Sequence, residues 1–92
     1  MSGAISHKSE IITLYLEGYF TPEIGLKTNH SNEVVDRYIR DYQRVQLLWE
    51  HGITTLDKIS QLARLSNKVV QQYINLLPEE VRHKLSKNDK KT

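Results

Sequence analysis

The chain has no cysteine among its 92 residues. That excludes disulfide stapling and every zinc site built on thiolates, and it suits a cytosolic protein. Glycine is scarce, with 4 in all, and no glycine-rich phosphate loop can be read. Proline is scarcer, with 2, so little interrupts a helix. No apolar run approaches the roughly 20 residues that cross a membrane. The opening "MSGAISHKSE" has no apolar signal core, which leaves the cytoplasm as the expected location and no membrane partner. No segment alternates with period two, so no strand is expected. No Ser-His-Asp grouping and no carboxylate pair set for acid–base work appears, and the chain reads as a non-enzyme without cofactor or small-molecule ligand. The 4 histidines stand at positions 7, 30, 51 and 83. Without an i, i+4 partner among them, no metal site is expected. His30 is read as the plug of a turn and His51 as a residue suited to a helix C-terminus.

What is present is a phrase written twice. Ser31 to Ile39 read "SNEVVDRYI" and Ser66 to Ile74 read "SNKVVQQYI", an offset of 66 − 31 = 35 that also relates Ile24 to Ile59. A period of this length marks a supersecondary unit used twice. Charge is shared unevenly between the copies. Residues 1–46 hold 5 Lys/Arg and 6 Asp/Glu, a net of −1, whereas residues 47–92 hold 8 and 5, a net of +3. The basic excess in the second half favours a polyanionic partner.

Apolar spacing and capping residues predict an all-α fold. A first helix runs from about Lys8 to Glu17 and stops at Gly18. Thr21 caps a short helix over Pro22–Thr28, with proline at its first position. After "NHS", Ser31 caps a long helix to about Glu50. Its buried side carries Val34, Val35, Tyr38, Ile39, Tyr42, Val45, Leu48 and Trp49. Gly52 ends it, and Thr54 or Thr55 caps a short helix through Ala63. Ser66 caps a helix from Asn67 to about Leu77, where Pro78 breaks it. A last short helix to about Ser86 and a disordered basic tail are expected. The organisation expected is a flexible N-terminus (1–7), a first unit (8–46), a second unit (47–77) and the terminal piece (78–92).

Each unit therefore has a first helix, a short second helix and a third helix after a tight turn. Ile24 precedes small Gly25 and Ile59 precedes small Ser60, which lets the second and third helices approach closely. Asn29 takes a turn position that favours glycine, and Leu65 and His30 plug the turns. This is a tandem helix-turn-helix pattern, two trihelical units sharing a long central helix, in which the third helix of each unit lies in the DNA major groove. The second copy's outward face reads Ser66, Asn67, Lys68, Gln71, Gln72 and Asn75. Asn and Gln can pair with adenine, Lys can reach guanine or phosphate, and no acid stands on that face. The first copy's face reads Ser31, Asn32, Glu33, Asp36, Arg37 and Arg40, with Arg44 a turn further. Arg37 and Arg40 suit guanine or phosphate. Glu33 could accept from cytosine, or Glu33 and Asp36 pair with the arginines along the helix, or the face meets a protein. Thr21, Lys27, Lys58 and Arg64, with Arg82, Lys84 and Lys87 of the tail, would brace the phosphate backbone. Tyr15, Tyr38, Tyr42, Tyr73 and Trp49 stand at core spacing and are read as packing rather than as platforms for single strands, whereas the spacing assigns no such place to Tyr19 and Phe20 in the loop.

The stretch from Ser6 to Leu77, and "HSNEVVDRYIRDYQRV" above all, resembles a family of uncharacterised prokaryotic proteins known as domain of unknown function 1670. "SHK", "LYLEGY" and the second unit's "LSNKVVQQY" take part in the likeness. The resemblance implies a DNA-binding regulator. It also implies that this chain corresponds to the C-terminal part of longer relatives, which carry another helix-turn-helix region upstream. The function expected is sequence-specific recognition of double-stranded DNA, as a transcriptional regulator or the recognition module of a mobile element, in the cytoplasm at the nucleoid. The alternative is a protein-interaction or homodimer module that uses the acidic first unit or the long helix around Tyr42, Val45 and Trp49.

Overall fold

A computed structural model describes residues 7–82. The expectations for residues 1–6 and for the tail, including His83, Lys84, Lys87 and a helix to Ser86, lie outside the described residues. Within them the chain is all-α. In order come α1 (His7–Leu16), α2 (Thr21–Thr28), α3 (Asn32–Glu50), α4 (Leu56–Ala63) and α5 (Asn67–Leu76), followed by a helical turn at 79–82. Contacts gather into two compact units, divided between Tyr42 and Gln43 inside α3. The first has α1, α2 and the start of α3; the second has the rest of α3, α4 and α5.

Local chemistry accounts for most boundaries. At the end of α1, Gly18 takes φ +103°, the Gly18 N–H donates to Tyr15 O at 3.0 Å and Tyr19 N–H to Leu14 O at 3.1 Å. The end of α3 repeats this: Gly52 has φ +89°, with Gly52 N–H on Trp49 O and Ile53 N–H on Leu48 O, both 3.0 Å. A left-handed residue here turns the chain so that orphan carbonyls of the last turn are satisfied, and only glycine adopts it without cost. His51 adds its own bond at that end, Nδ1 to Leu47 O at 2.8 Å. Ser31 and Ser66 cap α3 and α5 in the same way, accepting from Val34 N–H and Val69 N–H, each at 3.2 Å. Replacing Ser66 with Ala should cost about 0.5–2 kcal/mol, read as a lower denaturant midpoint, with Ser66→Asp retaining most of the stability. Leu77 leaves the helix with ψ 137°, as the residue before Pro78 must.

Thr55 takes the cap position of α4 without a side-chain hydrogen bond, and one cap differs in position from its sequence reading. Thr21 is the first helical residue of α2 and Phe20 holds the cap position. Phenylalanine has no acceptor, so the stabilisation runs the other way: Glu23 accepts from the Phe20 N–H at 3.3 Å. The Thr21 hydroxyl is instead drawn to Asp36 of α3, at 2.7 Å. A partner 15 residues away outcompetes the local bond that its residue type suggests.

The two cores share four apolar positions. In the first unit Ile11, Ile12, Ile24, Val35, Ile39 and Tyr42 are buried. In the second, Val45, Ile59, Ala63, Val70, Tyr73, Ile74 and Leu77 are buried. Ile24, Val35, Ile39 and Tyr42 map at the offset of 35 onto Ile59, Val70, Ile74 and Leu77. Each fully buried aliphatic side chain stabilises the fold by roughly 1.5–3 kcal/mol. Tyr42 and Val45 are covered within the chain itself.

Candidate nucleic-acid interface

The turn between the last two helices of each unit is built identically. Asn29 has φ 60°, ψ 45° and Arg64 has φ 62°, ψ 43°, both left-handed. The next residue closes the turn: His30 N–H donates to Gly25 O at 3.0 Å and Leu65 N–H to Ser60 O at 3.1 Å. Asn tolerates this conformation through its short polar side chain; Arg64 adopts it as a strained non-glycine residue. The small residue on the second helix then meets the turn. A Cβ on Gly25 would stand 2.8 Å from His30 O and 3.0 Å from Asn32 Oδ1. In the second unit the Ser60 hydroxyl occupies that space and donates to Leu65 O. The close approach expected from Gly25 and Ser60 is present: in the first copy the turn lies directly against Gly25 with no room for a Cβ, and in the second the Ser60 hydroxyl bridges to the turn by a hydrogen bond.

In the first unit this turn leaves Ser31, Asn32, Glu33, Asp36, Arg37 and Arg40 exposed along α3. Glu33, Val34, Arg37 and Arg40 line an open depression of about 350 Å³. Asp36 is tied to Thr21, so α2 and not an arginine of the same helix takes up that carboxylate. The Arg37 guanidinium lies 6.0 Å from the Tyr38 ring centroid, and Lys8 Nζ lies 5.6 Å from the same centroid. Lys8 reaches α3 from the start of α1, a neighbour that reading α3 alone could not reveal. Thr21 is half-buried, and Lys27 is exposed with its Nζ 5.0 Å from the Tyr19 ring.

In the second unit Ser66, Asn67, Lys68, Gln71 and Asn75 are exposed along α5, with Lys58 on α4 and Arg64 at the turn. Two of these side chains are already engaged with each other: Gln71 Nε2 donates to Asn75 Oδ1 at 2.9 Å. Gln72 does not share the outward position expected of it. It is half-buried and its Oε1 is out of solvent without a hydrogen-bond partner among the described residues. The reason is angular: one step round the helix from Gln71 carries a side chain about 100° toward the packed flank. Nor is the face free of acid. Asp57, in the first turn of α4, accepts from Asn67 Nδ2 at 2.9 Å. That carboxylate stands 10 positions back in the chain, and only the packing of α4 against α5 brings it there. Arg44 belongs to this unit too, and its Nη1 donates to Ala63 O at 3.1 Å, at the C-terminal end of α4. A cation there meets the negative end of the helix dipole, a structural task that the spacing along α3 does not disclose. Arg82 is half-buried in the last described turn.

The polar faces thus follow the same turn in both units, one mixed in charge and one mostly amide. A family model described as "Protein of unknown function (DUF1670)" matches residues 1–76. The chain belongs to this family. Neither a curated protein nor a solved structure matches it. The DUF1670 match takes in α1 to α5 entire, and with them both turns and both faces. Among the described residues of this DUF1670 chain, no helix is long and apolar enough to cross a membrane.

Proposed function

We infer that the protein binds double-stranded DNA through two helix-turn-helix units, with the start of α3 and α5 as the helices that enter the major groove. The observation that carries this reading is the duplicated turn. Left-handed Asn29 and Arg64 and the serine caps recur at an offset of 35 residues, together with the small residue under each turn. A core alone requires the buried positions to recur; it places no demand on an exposed cap and a polar stripe. In the second unit Lys68, Gln71 and Asn75 supply base or phosphate contacts, with Lys58 and Arg64 beside the backbone. In the first, Asn32, Arg37 and Arg40 do so. Arg44 keeps its role at the end of α4, and Gln72 supports from the flank. A transcriptional regulator or the recognition module of a mobile element would both use such readout.

Selection of bound duplexes from a random pool tests this, with Gln71→Ala and Arg37→Ala beside the parent. Each variant should lose discrimination at one base pair by about 1–3 kcal/mol. Lys68→Ala should instead weaken binding to all sequences and lower the slope of log K against log salt by about 1. Binding that appears only at low salt, without any enriched sequence, would defeat the proposal.

A second reading is favoured by a different observation. Leu26 and Phe20 are 87% and 77% exposed at α2 of the first unit, whose α3 face carries Glu33 and Asp36. A protein partner would cover these apolar side chains. Light scattering of the parent and of Leu26→Lys separates the readings: self-association lost in the variant assigns that surface to a copy of the chain.

A further inference from the structure

The histidines that stand apart in the sequence include one pair that meets in space. His7, the first residue of α1, and His30, in the turn before α3, have ring centroids 4.8 Å apart with planes at 73°. The tautomer of His30 follows from its neighbours. The Thr28 hydroxyl donates to Ile24 O at 2.7 Å, so its oxygen can only accept from His30 Nδ1, 3.1 Å away. Nδ1 therefore carries a hydrogen, which leaves Nε2 as the only ring nitrogen of His30 that can offer a lone pair to a metal. A ring nitrogen held by a hydrogen bond while the other stays basic is the arrangement that orients histidines toward metals. His7 is exposed.

The spacing fits the same chemistry. A ring nitrogen sits about 2.0–2.1 Å from bound Zn²⁺ and the ring centroid about 1.1 Å further. Two rings on one ion at angles between square and tetrahedral then have centroids about 4.5–5.2 Å apart. The observed 4.8 Å falls inside that interval.

We propose that His7 and His30 form a two-histidine site for a divalent transition metal such as Zn²⁺, which clips the start of α1 to the turn before α3. Among the described residues, no group of three or more His, Cys, Asp or Glu side chains is arranged to hold a metal. The ion's other positions are therefore taken by water or by an external donor, and binding is labile rather than structural. Affinity across metals follows the order that places Cu²⁺ above Zn²⁺ and Ni²⁺. Because both ligands lie in the first unit, the ion stabilises that unit by binding its folded form.

Thermal unfolding of the full chain with Zn²⁺ tests this. Saturating metal should raise the midpoint by about 4 °C or more. The rise should vanish in His7→Gln and in His30→Gln and persist in His51→Gln. Thr28→Val, which removes the bond that sets the His30 tautomer, should weaken binding by about 10-fold or more. Should His30→Gln fail to fold, His7→Gln still decides, because His7 is exposed and contributes nothing to the core. No rise in the parent, or a rise that His7→Gln retains in full, overturns the proposal.

Discussion

Tyr42→Ala should remove about 3–5 kcal/mol of stability, the usual result of deleting a buried aromatic side chain. Tyr42 is fully buried, and its ring meets Tyr15 edge to face at 6.1 Å. That pairing adds about 0.5–1.5 kcal/mol beyond the area it covers. Domains of this size have about 0.05–0.15 kcal/mol per residue to lose, so the variant should be largely unfolded at moderate urea. The cavity falls within the first unit's core, of which Tyr42 is the last residue. Tyr42→Leu should cost less, since Leu77 occupies the same register in the second unit. Leu26→Ala, at a site 87% exposed, should stay within about 0.5 kcal/mol of the parent. Urea unfolding with an unchanged slope measures all three. A loss under about 1 kcal/mol for Tyr42→Ala would show that its burial is not what holds the first unit.

Gly25→Val should cost about 3 kcal/mol, and the sign of Gly25→Ala discriminates between two accounts. Helix propensity alone predicts that alanine stabilises a helix interior by about 0.5–1 kcal/mol relative to glycine. The contact predicts the reverse, because a Cβ would meet the His30 carbonyl at 2.8 Å. That atom is backbone and is held in the left-handed turn, so it cannot swing aside. Valine adds two methyl groups to the same crowding. Gly25→Ser should fall between alanine and the parent, as the hydroxyl can donate to His30 O in the way that Ser60 donates to Leu65 O. If Gly25→Ala stabilises the chain, the close approach of α2 to the turn is not what selects glycine. The same variants bear on the proposed DNA binding, since the turn sets the direction in which α3 leaves α2.

Residues that act on near neighbours were legible. Gly18 and Gly52 end helices by a property of their own backbone, and Ser31 and Ser66 cap through atoms three residues on. The repeat exposed both cores, because a buried face must recur at helical spacing whichever partner covers it. Two threonines depart from this: Thr55 holds the cap position of α4 without a side-chain hydrogen bond, and Thr21 is displaced for a non-local reason, since Asp36 offers its hydroxyl a better acceptor. The candidate faces were legible only as stripes of residue types. Lys68, Gln71 and Asn75 are exposed as the period requires, whereas Gln72 sits on the packed flank.

By itself, the sequence determined an all-α chain, its helices and the duplicated turn, since all of these rest on spacing, propensity and short-range hydrogen bonds. Only the tertiary structure decided that Asp57 answers Asn67, that Arg44 caps α4 and that His7 meets His30. Those pairs are 10, 19 and 23 residues apart. Contacts at such separations depend on how helices pack against one another, and no periodicity within one helix records which side chain its neighbour will present.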